Sequence, residues 1–518
     1  MINTEQETTA AATAPPKATR KEWMGLAVIA LPCVLYSMDL TVLNLAVPQL
    51  SASLKPSSTQ LLWIMDIYGF LVAGFLITMG TLGDRIGRRK LLMIGAAAFG
   101  VASILAAFAN TAGMLIAARA ILGIAGATLA PSTLSLIRNM FLDPGQRTMA
   151  IGVWAASYSA GGAIGPLIGG LMLEHFWWGS VFLLAIPVMI LLLTLGPVLL
   201  PEFKDPQAGR LDFFSAVLSL TAVLCIIYGL KQIAAEGVGW VPVIFIVAGI
   251  GIGILFLQRQ AKLADPLIDV RLFKIPAFSA SLMIYGMGCF VMFGSFFFTF
   301  QYLQLVLGLS PIKAGLWSLP SFAGFIVGSM AGPFFLRYLT PGKFMASALV
   351  LAAIGFVILT QVTADTGIGL LIVGLLCSSL GFAPVVTMAT DLIIGAAPPE
   401  RAGAAGAISE TSAEFGGALG MAVLGSVGTA VYRSKMNITV PDGIPAGAAE
   451  AAKQTLGSAV VEAGQLTGPS GDALLNAAHD AFVAGLQIAA GSSVVIITGL
   501  VILAFFKLGR VQPATHSA

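Results

Sequence analysis

Four carboxylates stand where a chain rarely keeps them. Asp39, Asp66, Glu410 and Glu414 fall well inside apolar runs, in "LYSMDLTVLNLAVPQL", "WIMDIY" and "ISETSAEFGGALG". At bilayer depth such a group costs roughly 2.5–3.5 kcal/mol even on a lenient insertion scale. In a low-dielectric cavity a carboxylate can bind a proton, or a cation once deprotonated, but it is costly to leave charged and empty. Competition between the two for one site is enough to couple proton entry to cation exit. Asp39 is assigned proton coupling linked to substrate. Glu410 is assigned as a cavity carboxylate for protons or a cation, and Asp66 and Glu414 join them. Glu410 and Glu414, four apart, share one helix face. A structural ion pair or an interhelical hydrogen bond is the competing role for each. A cation also favours aromatic faces, and Tyr36, Trp63, Tyr68, Trp154, Tyr158, Tyr302, Trp317 and Phe325 lie on candidate spans. Part of this set is expected to line a cavity and the rest to pack.

These residues need membrane helices to hold them. The chain has 518 residues, 57% of them apolar and 10% charged, against about 25% charged in soluble domains. With about 20 apolar residues needed per crossing, fourteen spans are predicted. Their limits are 24–48, 61–82, 91–109, 112–137, 148–173, 178–200, 211–231, 240–258, 278–305, 313–336, 343–363, 367–395, 402–432 and 482–506. Basic residues concentrate in cytosolic loops. With both termini inside, only Lys55, Lys231, Lys313, Arg433, Lys435 and Lys453 fall in outside loops, and Arg119 falls within span four. Residues 1–22 read as a disordered cytosolic tail without the apolar core of a signal peptide. The long outside loop 433–481 reads as two short amphipathic helices, "AGAAEAAKQTLGSAVVEAG" and "SGDALLNAAHDAFVAGLQ", or else a tether.

Other chemistries find little support. The net charge of +3 is too small to argue for nucleic acid. Cys33, Cys225, Cys289 and Cys377 are scattered through apolar runs without metal spacing, and His175, His479 and His516 lie outside the spans; no metal site is expected. No G-x-S-x-G, H-E-x-x-H or G-x-x-x-x-G-K-[ST] occurs, so neither a hydrolase nor an ATP site is indicated. No cofactor is expected, the proton motive force supplying the energy.

Three glycine-bearing motifs follow. "GTLGDRIGRRK" carries Gly80, Gly83, Asp84, Arg85, Gly87, Arg88 and Arg89. The glycines permit close helix approach and a tight turn, and Asp84 can accept charge-assisted bonds from an arginine or a helix N-terminus. Such a latch would hold the cytosolic side in one conformation. "LIAARAILGIAGATLAP" places Arg119 ahead of two glycines on span four. "GGAIGPLIGG" on span five carries Gly161, Gly165, Pro166, Gly169 and Gly170, where glycines four apart admit a neighbouring helix and Pro166 permits a bend.

The first motif resembles the loop signature of the major facilitator superfamily, G-x-L-a-D-r-x-G-r-r-k, and the second its R-x-x-x-G-x-x-G element. The third resembles the motif associated with its drug:proton antiporters. "DLTVLNLAVP", from Asp39, is similar to the span-one signature of the fourteen-span drug:proton antiporter branch, and "DPLIDVRLF" and "LSPIKAGL" to its quaternary-ammonium (Qac-type) exporters. The likeness runs from about residue 23 to 507. It implies an all-α polytopic fold of two six-helix bundles plus two inserted helices, fourteen in all, with both termini cytoplasmic. The bundles would occupy 23–200 and 261–507, the inserted pair 201–260, and a cytoplasmic tail 508–518. "GTLGDRIGRRKLL" has a faint echo in "GPFFLRYLTPGKFM", as a repeated bundle would give. The resemblance also implies a role for Arg119 in proton coupling. It implies a monomeric, multi-pass transporter of a bacterial cytoplasmic membrane, exporting lipophilic cations (quaternary ammonium antiseptics, cationic dyes, biguanides) against protons by alternating access. Some members of that branch carry an acid in the middle of span ten, where "LPSFAGFIVGSM" has none; this counts against tight binding of bulky dications. Export of an endogenous metabolite on the same scaffold is the alternative.

Overall fold

The computed structural model describes residues 16–54, 56, 58–204, 212–236, 239–263, 266–398, 402–441, 443–466 and 469–509. The predicted tails 1–22 and 508–518 therefore lie mostly outside the described residues. Among those described, all regular structure is helical. The first part of the chain forms α1 (Arg20–Leu54), α2 (Ser58–Ile86), α3 (Arg88–Ala107), α4 (Ala112–Gly126), α5 (Leu129–Met140), α6 (Pro144–His175), α7 (Ser180–Leu183) and α8 (Ala185–Leu199). Then come α9 (Phe213–Glu236) and α10 (Trp240–Gln260). The rest forms α11 (Pro276–Gln301), α12 (Pro311–Ser329), α13 (Gly332–Phe335), α14 (Pro341–Leu359), α15 (Gly367–Ala396), α16 (Ala402–Thr439), α17 (Ala446–Gln454), α18 (Leu456–Gln465) and α19 (Pro469–Leu503).

Local chemistry sets many of these limits. Thr111 caps α4 by accepting from the Met114 amide, and Asp143 caps α6 from Gln146 at 2.8 Å with Pro144 at its first turn. Ser310 and Pro311 begin α12 in the same way. Such caps satisfy amides that have no partner inside the helix. Gly87, at φ 110°, makes the one-residue turn between α2 and α3, a conformation that costs glycine nothing.

Thirteen helical segments among the described residues are long and apolar enough to cross a membrane. The predicted tenth span is helical as α12 and α13 but is not one of the thirteen. Lys313, two prolines, several serines and a break at Met330 leave it shorter and less apolar. The long loop also differs from expectation. Its first predicted helix divides at Thr455, which stands extended and caps α18 by accepting from the Ser458 amide. Its second is the start of α19, because nothing in the sequence interrupts the helix before the membrane run.

One buried core joins α1 to α8, and another joins α11 to α19. In the first, α1 lies along α6, α2 along α4, and α3 between α4 and α8. In the second, α11 lies along α16, α14 along α15 and α19, and α12 along α15. The two halves meet where α2 touches α16 and where α6 touches α12. The α9–α10 pair packs through α9 on α2 and α16.

Candidate functional site

Inside the first half, α4 presents Arg119 to α1 and α2. Its Nη1 lies 3.3 Å from Asp39 Oδ2, with the arginine side chain 1% exposed and the aspartate 14%. The guanidinium carbon stands 5.2 Å from the centroid of the Tyr68 ring, within range of a cation–π contact. The two glycines after Arg119 make this possible. A side chain at Gly123 would meet the Tyr68 carbonyl at 2.6 Å, and one at Gly126 would meet its hydroxyl at 3.2 Å. The motif thus builds a seat for one tyrosine. Arg119 Nε and the Tyr68 hydroxyl are buried and make no hydrogen bond. On its other side Asp39 borders a crevice with room for about one water molecule, walled by Phe99, Ser103 and Phe182 among others.

In the second half, Gly416 and Gly420 bring α16 against α11, since added side chains would overlap the Gly286 and Phe290 carbonyls. That approach sets Tyr285 beside Glu410, its hydroxyl donating to Oε1 at 3.2 Å. One turn on, Glu414 Oε1 accepts from the Tyr36 hydroxyl of α1 at 3.3 Å, so this bond joins the halves. The Tyr36 ring lies 5.7 Å from both Tyr68 and Tyr158, and Tyr158 lies 4.9 Å from Trp154. The Trp154 indole donates to Thr133 at 3.0 Å. Asp39, Arg119, Glu410 and Glu414 therefore surround one cage of tyrosines drawn from α1, α2, α6 and α11.

Other predicted residues lie elsewhere. Trp63 packs against Phe70 and is 38% exposed. The Tyr302 hydroxyl donates to the Thr363 carbonyl at 2.7 Å, Trp317 faces outward at 45% exposure, and Phe325 is half-buried on α12. The side chains of Asp66 and Pro166 lie outside the described residues. On α6, a side chain at Gly161 would overlap the Val34 carbonyl, and one at Gly169 would meet Val42 at 2.7 Å; these glycines seat α6 on α1. Gly165 is buried and Gly170 faces open space.

The latch motif occupies one end of the α2–α16 contact. A side chain at Gly80 would meet the Ala407 methyl at 2.6 Å and the Gly403 carbonyl at 2.9 Å. The Arg88 side chain is fully buried, and its Nε donates to Asp84 Oδ1 at 2.8 Å. Its guanidinium lies where a side chain on Gly403 or Gly83 would start. Arg85 is half-buried. Arg89 donates to the Pro197 and Leu200 carbonyls at 3.0 and 3.1 Å.

Three parts of this arrangement went unread in the sequence. Glu202 caps α3 by accepting from the Arg89 and Lys90 amides, each at 3.1 Å; an acid soon after Pro201 was its only trace. At the same end as the latch, Asp391 of α15 accepts from Arg147 Nε at 2.7 Å and from the Thr148 hydroxyl at 2.9 Å, tying α15 to α6. Its signal was an acid late in an apolar run. Tyr285 had none beyond being one aromatic among many. Among the described residues no three His, Cys, Asp or Glu side chains are grouped to hold a metal ion.

The model of the Major Facilitator Superfamily matches residues 29–421. The chain is 42% identical to the multidrug efflux pump LfrA of Mycolicibacterium smegmatis, over 91% of this chain and 94% of that one. It is 36% identical to the methyl viologen resistance protein SmvA of Salmonella typhimurium, over 95% and 99%. It is 31% identical to the tetracenomycin C resistance and export protein of Streptomyces glaucescens, over 94% and 92%. Among solved structures, the human organic anion transporter MFSD10 superposes with a TM-score of 0.59 at 16% identity, covering 95% of this chain and all of that one. With its apolar helices, two packed halves and a polar cage between them, the chain belongs to the Major Facilitator Superfamily and is a multi-pass membrane transporter rather than an enzyme.

Proposed function

We propose that the protein is a drug efflux pump that exports small lipophilic cations in exchange for protons. The names of its relatives support efflux of toxic small molecules. The observation that carries the finer reading is the cage itself, with two glutamates on one helix face, each held by a tyrosine hydroxyl. An organic cation that displaces those hydroxyls gains two carboxylates and several ring faces at once. A proton offers the same carboxylates an alternative way to shed their charge. Asp39 couples the two because protonation would release Arg119, and Arg119 sits on Tyr68 beside Tyr36.

The basic residues at the Arg88 end support a cytosolic position for it. The closed latch and the Arg147–Asp391 tie then give a pump shut toward the cytosol. Opening both exposes the cage to the inside and to the inner leaflet, where the cation loads. Each proton moving inward contributes about 2.3 kcal/mol per 100 mV, with the pH gradient additional.

The test uses proteoliposomes of known orientation with an acid interior and a pH-sensitive dye. Adding ethidium or a quaternary ammonium compound is expected to release protons through the wild type and not through Asp39→Asn. Release by both keeps antiport and moves coupling to the glutamates. Failure of every cation to release protons refutes cation antiport and favours an exporter of an endogenous metabolite.

A further inference from the structure

The stretch "DPLIDVRLF", between α10 and α11, belongs to neither cage nor latch. Its residues Leu267, Ile268 and Leu272 are buried in the core of the second half, together with Phe278 of α11. Ala216 of α9 and Phe256 of α10 are buried in the same core, to which α2 adds Ile77. Polar bonds close this joint. Gln260, the last residue of α10, is 1% exposed. Its Nε2 donates to the Ser215 hydroxyl of α9 at 2.8 Å, and its Oε1 accepts from the Leu267 amide at 2.7 Å. One side chain therefore ties both inserted helices to the segment that leads into α11. Next to it, Arg259 donates to Asp212 at 2.7 Å and to Ser215 at 3.1 Å, and its guanidinium carbon lies 5.1 Å from the centroid of the Phe214 ring. Further on, the Ser279 hydroxyl of α11 donates to the Phe273 carbonyl at 2.6 Å.

α9 meets α2 in another way, with side chains laid over a glycine. A side chain on Gly74 would meet Leu220 at 2.6 Å and Leu224 at 3.1 Å. Phe70 and Ala73 of α2 are buried with Val223 and Ile227 of α9, and Phe415 of α16 packs against them. In lipid such an apolar contact has no hydrophobic drive behind it, because the tails are as apolar as leucine. Packing alone holds it. The joint at Gln260 is of the stronger kind. A charge-assisted bond such as that from Arg259 to Asp212 is about twice as strong as a neutral one, and parting Gln260 from its partners would leave buried polar groups unpaired.

α9 rests on both α2 and α16, the two helices that the latch holds together, so it cannot follow both when they part. We propose that the inserted pair α9–α10 is a moving part of the second half, which travels with α16 and slides over α2 each time the latch opens, with Gln260 as the residue that joins it there. This motion rests on the alternating cycle proposed above, but not on the identity of its substrate.

Spin labels on a protein with its four cysteines replaced, held in nanodiscs, measure the motion directly. Leu255 on α10, Ile94 on α3 and Ser347 on α14 are exposed positions for them. Breaking the latch with Arg88→Ala should shift the Ile94–Ser347 and Leu255–Ile94 distances and leave Leu255–Ser347 unchanged. If Ile94–Ser347 shifts with any other pattern at Leu255, the pair does not travel with the second half and the proposal is overturned. A fixed Ile94–Ser347 distance would refute the cycle and the sliding with it. Gln260→Leu should broaden the Leu255–Ser347 distribution while leaving Ile94–Ser347 as it was; an unchanged distribution would take Gln260 out of the joint. In proteoliposomes, oxidising a Gly74→Cys, Leu220→Cys pair, which bridges α2 to α9, should stop ethidium transport, and a reductant should restore it. Full transport by the bridged protein would overturn the sliding. A wild type that exports no cation while the distances shift as expected would refute the efflux reading and leave the attachment standing.

Discussion

The latch yields the sharpest prediction, at a residue outside its signature. A methyl group on Gly403 would overlap the Arg88 guanidinium. Arginine is flexible, so a clash with its tip is cheap when the tip can swing into water. Here it cannot, because Arg88 is fully buried and bonded to Asp84. Gly403→Ala must therefore break that pair or push α16 off α2. Losing a buried pair costs about 3–5 kcal/mol. At 1.4 kcal/mol per tenfold change, the closed state loses between about two and three and a half powers of ten against the open one. A cycle that passes through the closed state should slow at least tenfold, with equilibrium cation binding changed far less. The assay is transport in proteoliposomes beside fluorescence binding, with Gly395→Ala, a glycine facing open space, as control. A double-mutant cycle tests the cause. In an Arg88→Ala background the methyl at 403 has room, so the double variant should be no slower than Arg88→Ala alone. Wild-type transport by Gly403→Ala, or additive losses in the cycle, would refute the reasoning.

Asp84→Asn keeps an acceptor for Arg88 but loses its charge, so it should slow turnover while leaving cation binding near wild type; an unchanged rate would show that the charge is dispensable. Asp391→Ala removes the acceptor of Arg147 and one of the two acceptors of the Thr148 hydroxyl, and hydrogen exchange of the first turns of α6 should rise; unchanged protection would mean that the tie does not hold the halves. Gly161→Leu would force its side chain into the Val34 carbonyl and should cost about 1–3 kcal/mol by overpacking, read as a lower melting temperature in detergent. Asp212 lies outside the spanning helices. Burial pushes its carboxyl up, but bonds from Arg259 and Ser215 prevail and hold it below the usual range. Its stabilising effect is therefore full above the ordinary value of about 4 and fades as pH falls below it. Asp212→Asn should lower the melting temperature at neutral pH, with the difference shrinking in acid.

What the sequence disclosed followed from cost. A carboxylate or arginine in an apolar run is conspicuous because it is expensive there, and Asp39, Arg119, Glu410 and Glu414 do converge on one cage. Glycines at helical spacing announced close approaches at Gly80 and Gly161, though not the partners. Partners depend on how distant helices pack, so Tyr285, Glu202 and the Arg147–Asp391 tie were illegible one segment at a time. The long loop 433–481 departs from expectation for a related reason. Its small and apolar residues have helical spacing throughout, and a single capping threonine, Thr455, decides where one helix stops and the next begins.

Cage and latch stand on the same two helices, and this gives the proposed coupling a mechanical form. α16 carries Gly403 at the latch and Glu410 and Glu414 in the cage, seven and eleven residues on. At 1.5 Å per residue the lever arms are about 10 and 16 Å. α2 carries Gly80 and Asp84 at the latch and Tyr68 in the cage. Neither helix contains a proline, the commonest cause of a sharp kink, so a tilt of either can carry from cage to latch. A cation that spreads Glu414 from Tyr36, or a proton that frees Arg119 from Asp39, acts on one helix or the other well away from the glycine contact. Because Gly80 meets only a methyl and a carbonyl of α16, a small tilt separates that contact outright. The coupling therefore needs no continuous chain of charges from cage to latch; two stiff helices that share both sites are sufficient.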